Sequence, residues 1–111
     1  QEITDVVRGA DLIDSTPRQI LLQQMLGYPT PVYAHLPVLR QADGAKLGKS
    51  LSSAPLDPLD PLPALRLAYE SLGQDPGETG GCANARQFLD RALAAFHPGR
   101  IPAEDRFLSL D

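Results

Sequence analysis

The chain has little cysteine, no excess of positive charge and no long apolar run, and each shortage removes a class of protein. A single cysteine, Cys82, cannot close an intrachain disulfide, so a disulfide-stapled fold is excluded and a reducing compartment is expected. With two histidines, His35 and His97, more than sixty positions apart, it forms no recognisable zinc spacing. Cys82 therefore reads as a small buried apolar residue. No stretch approaches the ~18 apolar residues of a membrane span, and no signal-peptide pattern opens the chain. A soluble, cytoplasmic protein with no membrane partner is expected. Ten Lys+Arg stand against fourteen Asp+Glu, a net charge of −4, so there is no basic footprint for nucleic acid over the whole surface.

Proline is in surplus. Eleven prolines among 111 residues are about twice the ordinary ~5%. Each removes a backbone donor, which excludes a long helical bundle, a coiled coil or an uninterrupted central sheet. The length, 12.0 kDa, suits one domain with a modest core, and 42% hydrophobic residues argue against disorder. A start at Gln1 rather than Met is expected of a chain that has been processed or cut from something longer.

Ile3-Thr4-Asp5-Val6-Val7 is β-branched and reads as a strand running into Arg8-Gly9. Thr16 can cap a helix, Pro17 suits its first position and Gln19 completes a capping box. Ile20, Leu21, Leu22, Met25 and Leu26 supply its apolar side and Gly27 its stop. Leu36-Pro37-Val38-Leu39-Arg40 reads as one short edge strand, Asp43-Gly44 as a turn, and residues 46–50 as a doubly cationic loop. Four prolines between Ala54 and Pro63 form a stiff connector. Beyond it Leu62, Leu65, Tyr69 and Leu72 lie on one helical stripe ended by Gly73. Phe88, Leu89, Ala92, Leu93 and Phe96 mark a second helix, closed by His97-Pro98-Gly99.

Charge is uneven: residues 1–50 are neutral overall, whereas residues 51–111 carry the whole −4. Anion chemistry therefore belongs to the first half. Gly48-Lys49-Ser50 is not a phosphate-binding P-loop, because Asp43 stands where the motif needs glycine and prolines follow where it needs a helix. Two lysines in a small loop still suit a polyphosphate, although such a loop is more often a solvated turn. Arg8 sits where α/β sheets open their ligand crevice and could grip a carboxylate with two parallel bonds. The ordinary alternative is an ion pair with Asp5, Asp11 or Asp14. His35 reads as structural, since no Ser or Cys is spaced to serve as its nucleophile. His97 reads as a helix-end cap.

Three ordered segments, Val6–Gln19, Pro31–Pro37 and Lys46-Leu47-Gly48-Lys49-Ser50, resemble the glutamyl-tRNA synthetase family. The last is similar to its KMSKS signature, and Arg8-Gly9-Ala10-Asp11-Leu12 with Asp14-Ser15-Thr16-Pro17-Arg18-Gln19 is closest to the glutamyl-Q tRNA(Asp) branch. That branch is truncated and lacks an anticodon-binding domain. The resemblance covers residues 3–50; the remainder matches only in length and helical character.

The fold implied is α/β to mainly α: the C-terminal part of a class I synthetase Rossmann-type catalytic domain, followed by a small helical region. Residues 1–53 would end the catalytic domain, 54–63 connect, and 64–111 form the helical region. The activity implied is ATP-dependent conversion of L-glutamate to glutamyl-adenylate, with ATP as its magnesium complex, and transfer to the queuosine base of tRNA(Asp). Arg8 would contact glutamate. Lys49 would stabilise the ATP phosphates as pyrophosphate leaves, and Lys46 would open the same loop. Gly48 stands where the signature usually has serine. The other ATP signature, the zinc-binding segment and a glutamate-site tyrosine would precede Gln1, so zinc is expected only there and the chain alone is expected to be inactive and to self-associate. The alternatives are a glutamyl-tRNA synthetase fragment charging tRNA(Glu) and a non-catalytic helical interaction module.

Overall fold

A computed structural model describes residues 1–47 and 57–108. Gly48, Lys49 and Ser50 of the cationic loop, and the first part of the proline-rich connector, lie outside the described residues.

The first half is a strand–helix–strand unit. Strand β1 (Asp5–Gly9) runs through a tight helical turn (Ala10–Ser15) into helix α1 (Thr16–Met25) and returns as β2 (Val32–Leu36). The strands pair in parallel, with Asp5 opposite Val32, Arg8 opposite His35 and Gly9 opposite Leu36. Parallel neighbours need a crossover, and α1 is that crossover. Alternation along both strands turns Val6, Arg8, Tyr33 and His35 to the half-buried face, while Asp5, Val7, Val32 and Ala34 face out. Gly27 ends α1 with φ +74°, as its position in the sequence predicts.

Two expectations fail here. The predicted capping box does not form: Thr16 is the first helical residue, Ser15 precedes it, and the Thr16 hydroxyl is engaged elsewhere. The predicted strand over residues 36–40 is split, because Pro37 and Val38 separate β2 from β3 (Leu39–Gln41). Proline has no N–H to continue the ladder, and the chain changes sheet there.

The second half builds its own core. Helix α2 (Leu62–Ser71) and helix α3 (Ala85–Ala95) enclose Tyr69, Cys82, Phe88 and Ala92, with Leu62, Leu65 and Phe96 packed against them. Phe88 is only 2% exposed, and Tyr69 meets it edge-on at 5.8 Å between ring centres. Each such buried ring contributes about 1.5–3 kcal/mol of transfer free energy. The α3 stripe is narrower than the sequence predicts, because Leu89 and Leu93 face out. Asn84 caps α3 through a bond from the Gln87 amide. Gln74 is buried between the helices, where its amide donates to the carbonyls of Leu72 and His97 and its oxygen accepts from the His97 N–H. His97 thus joins α3 to the α2 end by its backbone.

A strand absent from the sequence reading, β4 (Arg106–Leu108), pairs in parallel with β3 and joins the halves. Asp105 pins the junction. Its carboxylate accepts from the Val38 N–H at 3.1 Å and from Arg40 Nε at 2.6 Å, and Arg40 also donates to the Gly44 carbonyl. The turn at Asp43-Gly44 forms as predicted, with Gly44 at φ +88°, and brings Lys46 back against Arg40. The root of the cationic loop is therefore bonded to the C-terminal half.

Candidate functional site

Arg8 is at the C-terminal end of β1, where a parallel strand pair gives way to its crossover and ligand crevices open. Its guanidinium is held along one edge. Nε donates to His35 Nε2 at 3.2 Å, and Nη2 donates to Thr16 Oγ1 at 2.8 Å and reaches the Leu12 carbonyl at 3.5 Å. The Thr16 hydroxyl donates in turn to the Leu12 carbonyl at 3.0 Å. The guanidinium carbon lies 5.1 Å from the Tyr33 ring centre, and that ring stacks parallel to His35 at 6.0 Å. Tyr33 is fixed in turn by Gln23 of α1, whose amide donates to its hydroxyl at 3.0 Å.

The expected alternative for Arg8, an ion pair with Asp5, Asp11 or Asp14, is not what the geometry shows. Among the described residues its partners are a neutral hydroxyl, a carbonyl and an imidazole. Among the described residues no carboxylate pairs with this guanidinium, and its bonds use Nε and Nη2 alone, which leaves Nη1 for a carboxylate.

Asp11 belongs to the tight turn after β1 and pairs with Lys46 at 2.6 Å. The lysine's hydrogen bond holds the Asp11 carboxyl below its ordinary value. A side chain at Gly9 would collide with the Asp11 carboxylate, so this position leaves that carboxylate room to fold back. Arg8 and Lys46 are thereby linked through one short turn. Leu47 donates its N–H to the Leu39 carbonyl at 2.8 Å, which closes the hairpin from which the loop leaves. Gly48, Lys49 and Ser50 fall outside the described residues.

Residues 1–56 match the family model described as tRNA synthetases class I (E and Q), catalytic domain. The chain belongs to that family. It is 53% identical over all of its 111 residues to a glutamyl-Q tRNA(Asp) synthetase of Xanthomonas campestris pv. campestris (strain 8004), covering 36% of that protein. It is 50% identical over 103 residues to the protein of that name from Ectopseudomonas mendocina (strain ymp), over 92% of this chain and 35% of the relative. To that of Burkholderia mallei (strain ATCC 23344) it is 52% identical over 94 residues, 85% of this chain and 31% of the relative. The chain thus spans about a third of the length of the curated relatives it matches.

Within this synthetase family segment, Arg8 and the root of the lysine loop come to the same end of β1. Sequence reasoning missed Thr16, Tyr33 and His35 as partners of Arg8, and it paired Asp11 with Arg8 where the structure pairs it with Lys46. Strand alternation alone places Tyr33 and His35 on one face, and that was the available signal. The zinc of the family resemblance has no ligand set among the described residues: no three His, Cys, Asp or Glu side chains converge, Cys82 is in the helical core and His35 faces Arg8. No helix of the described residues is long and apolar enough to cross a membrane.

Proposed function

We propose that this chain carries the glutamate-carboxylate contact and the phosphate-facing lysine loop of an ATP-dependent synthetase. The whole protein forms glutamyl-adenylate and transfers the glutamyl group to the queuosine base of tRNA(Asp). The observation that supports this reading best is Arg8, a guanidinium secured on one edge by neutral partners at the mouth of a strand–helix–strand crevice. Such a group recognises a carboxylate without first breaking an ion pair. The names of the relatives supply the acceptor.

In this reading Arg8 orients glutamate so that its α-carboxylate attacks the α-phosphorus of ATP, and pyrophosphate leaves. Lys49 follows the charge that develops on the departing phosphates, and Lys46, tethered by Asp11, sets where the loop begins. The magnesium accompanying ATP is part of the substrate. In this reading the catalytic end is braced by a helical unit through β3 and β4, with α2 beginning at Leu62 inside the expected 54–63 connector.

Glutamate-dependent ATP–pyrophosphate exchange, followed by transfer to tRNA(Asp) with and without queuosine, tests the reading in a protein of the relatives' length. Transfer to the modified tRNA alone is expected. Transfer to tRNA(Glu) instead would make it a charging synthetase, the other activity the family includes. Unchanged exchange after Lys49→Ala would favour the helical interaction module. The 111-residue chain alone is expected to show no exchange and to self-associate through the outward α1 side chains, a shift visible in concentration-dependent light scattering.

A further inference from the structure

We propose that His35 is a positioning residue for Arg8, acting as a neutral acceptor, so that carboxylate recognition by Arg8 is lost when the imidazole gains its second proton. This role rests on the reading of Arg8 as the glutamate ligand.

The geometry fixes the tautomer. Every guanidinium nitrogen is a donor, so the 3.2 Å contact from Arg8 Nε requires a bare lone pair on His35 Nε2. The ring proton of neutral His35 therefore resides on Nδ1. Thr16 Oγ1, 3.3 Å from the same Nε2, accepts from Arg8 and spends its single proton on Leu12, so it adds no competing requirement. Protonating Nε2 would set an N–H against an N–H and a second positive charge beside the first. The guanidinium would lose its Nε anchor and keep only the Nη2 contacts to Thr16 and the Leu12 carbonyl.

The groups facing His35 are few. Arg8 comes from β1, the Thr16 hydroxyl from α1, and Tyr33 from its own strand. The preceding turn supplies the Leu12 carbonyl to this cluster, and its Asp11 is taken by Lys46. Among the described residues no carboxylate lies within ion-pair distance of His35, so none offsets the second proton.

Two measurements test this. Nitrogen-15 NMR of the imidazoles reads the tautomer directly, and with two histidines in the chain a His97→Gln variant assigns the signals. A His35 ring carrying its neutral-form proton on Nδ1 supports the role; one carrying it on Nε2 overturns it. In a protein of the relatives' length, His35→Ala is expected to raise the glutamate KM about tenfold with kcat unchanged, the pattern of lost uniform binding. His35→Gln keeps an acceptor that does not titrate, so its KM should stay within about threefold of the parent and stop rising from pH 8 to 5.5. A normal KM and the parental pH profile in His35→Ala, beside a large loss in Arg8→Ala, would overturn the positioning role. No loss in Arg8→Ala would overturn the glutamate reading itself, whatever the tautomer.

Discussion

The two halves of the chain are ordered by different means. In the helical half Phe88 and Tyr69 are sealed among their neighbours, and the backbone ends are tied by buried Gln74. In the strand–helix–strand half the apolar side of α1 meets solvent: Leu21 is 57% exposed, Leu22 58%, Met25 76% and Leu26 60%. What faces inward there is polar, a chain of contacts from Gln23 through Tyr33, Arg8 and His35 to Thr16. The first half thus directs its inner face to the site, while the second supplies much of the chain's buried apolar contact. Asp105 and the β3–β4 pair connect them.

The largest expected effect breaks that contrast at its core. Phe88→Ala should cost about 3–5 kcal/mol, whereas Leu22→Ala in α1 should stay within about 0.5 kcal/mol, both read from urea unfolding of this chain. A comparable loss at Leu22 would mean that α1 is buried in solution.

Next come two glycines with the same φ of +74°, one ending α1 and one ending α2. A side chain at Gly73 would strike the Arg100 carbonyl, whereas one at Gly27 meets nothing within 4 Å. Gly27→Ala should cost about 1 kcal/mol from backbone strain alone, and Gly73→Ala clearly more, as measured by thermal unfolding. Equal costs would remove the packing difference between the halves.

The pH responses should also separate. Burial first, and then Glu78, raise the Tyr69 hydroxyl above the ordinary 10.0. The fold favours its protonated form, so that stabilisation is complete below pH 10 and fades as pH climbs through the raised value. Asp105 is the reverse case. Its bond from Arg40, and then that from the Val38 N–H, lower its carboxyl from 3.8, so its contribution holds above that value and is lost as pH falls through the lowered one. Amide exchange at Val38 should quicken below about pH 4 while the Phe88 amide stays protected. The smallest effect is Asp11→Asn, which frees Lys46 from a solvent-facing pair and should leave the unfolding midpoint unchanged.

Much of this plan was readable in the sequence where signals are local. The Leu62–Tyr69 and Phe88–Phe96 stripes, the stops at Gly27 and Gly73, and the turn at Gly44 depend on neighbours within a few positions. The α1 stripe was equally regular, yet a stripe shows only which side is apolar, not what covers it. β4 was illegible because three residues carry little pattern and their partners lie more than sixty positions away. The His35–Arg8 contact is hidden in the sequence for a similar reason: it spans 27 positions, and strand register, not spacing, creates it. Thr16 resembled a cap because its neighbours fit one, but Arg8 claimed its oxygen.

The most direct test of the central claim, that Arg8 receives the glutamate carboxylate, is glutamate-dependent ATP–pyrophosphate exchange by a protein of the relatives' length carrying Arg8→Ala. The glutamate KM is expected to rise about a hundredfold, the loss of a charged hydrogen-bonded contact, with the ATP KM little changed. An unaltered glutamate KM would contradict it.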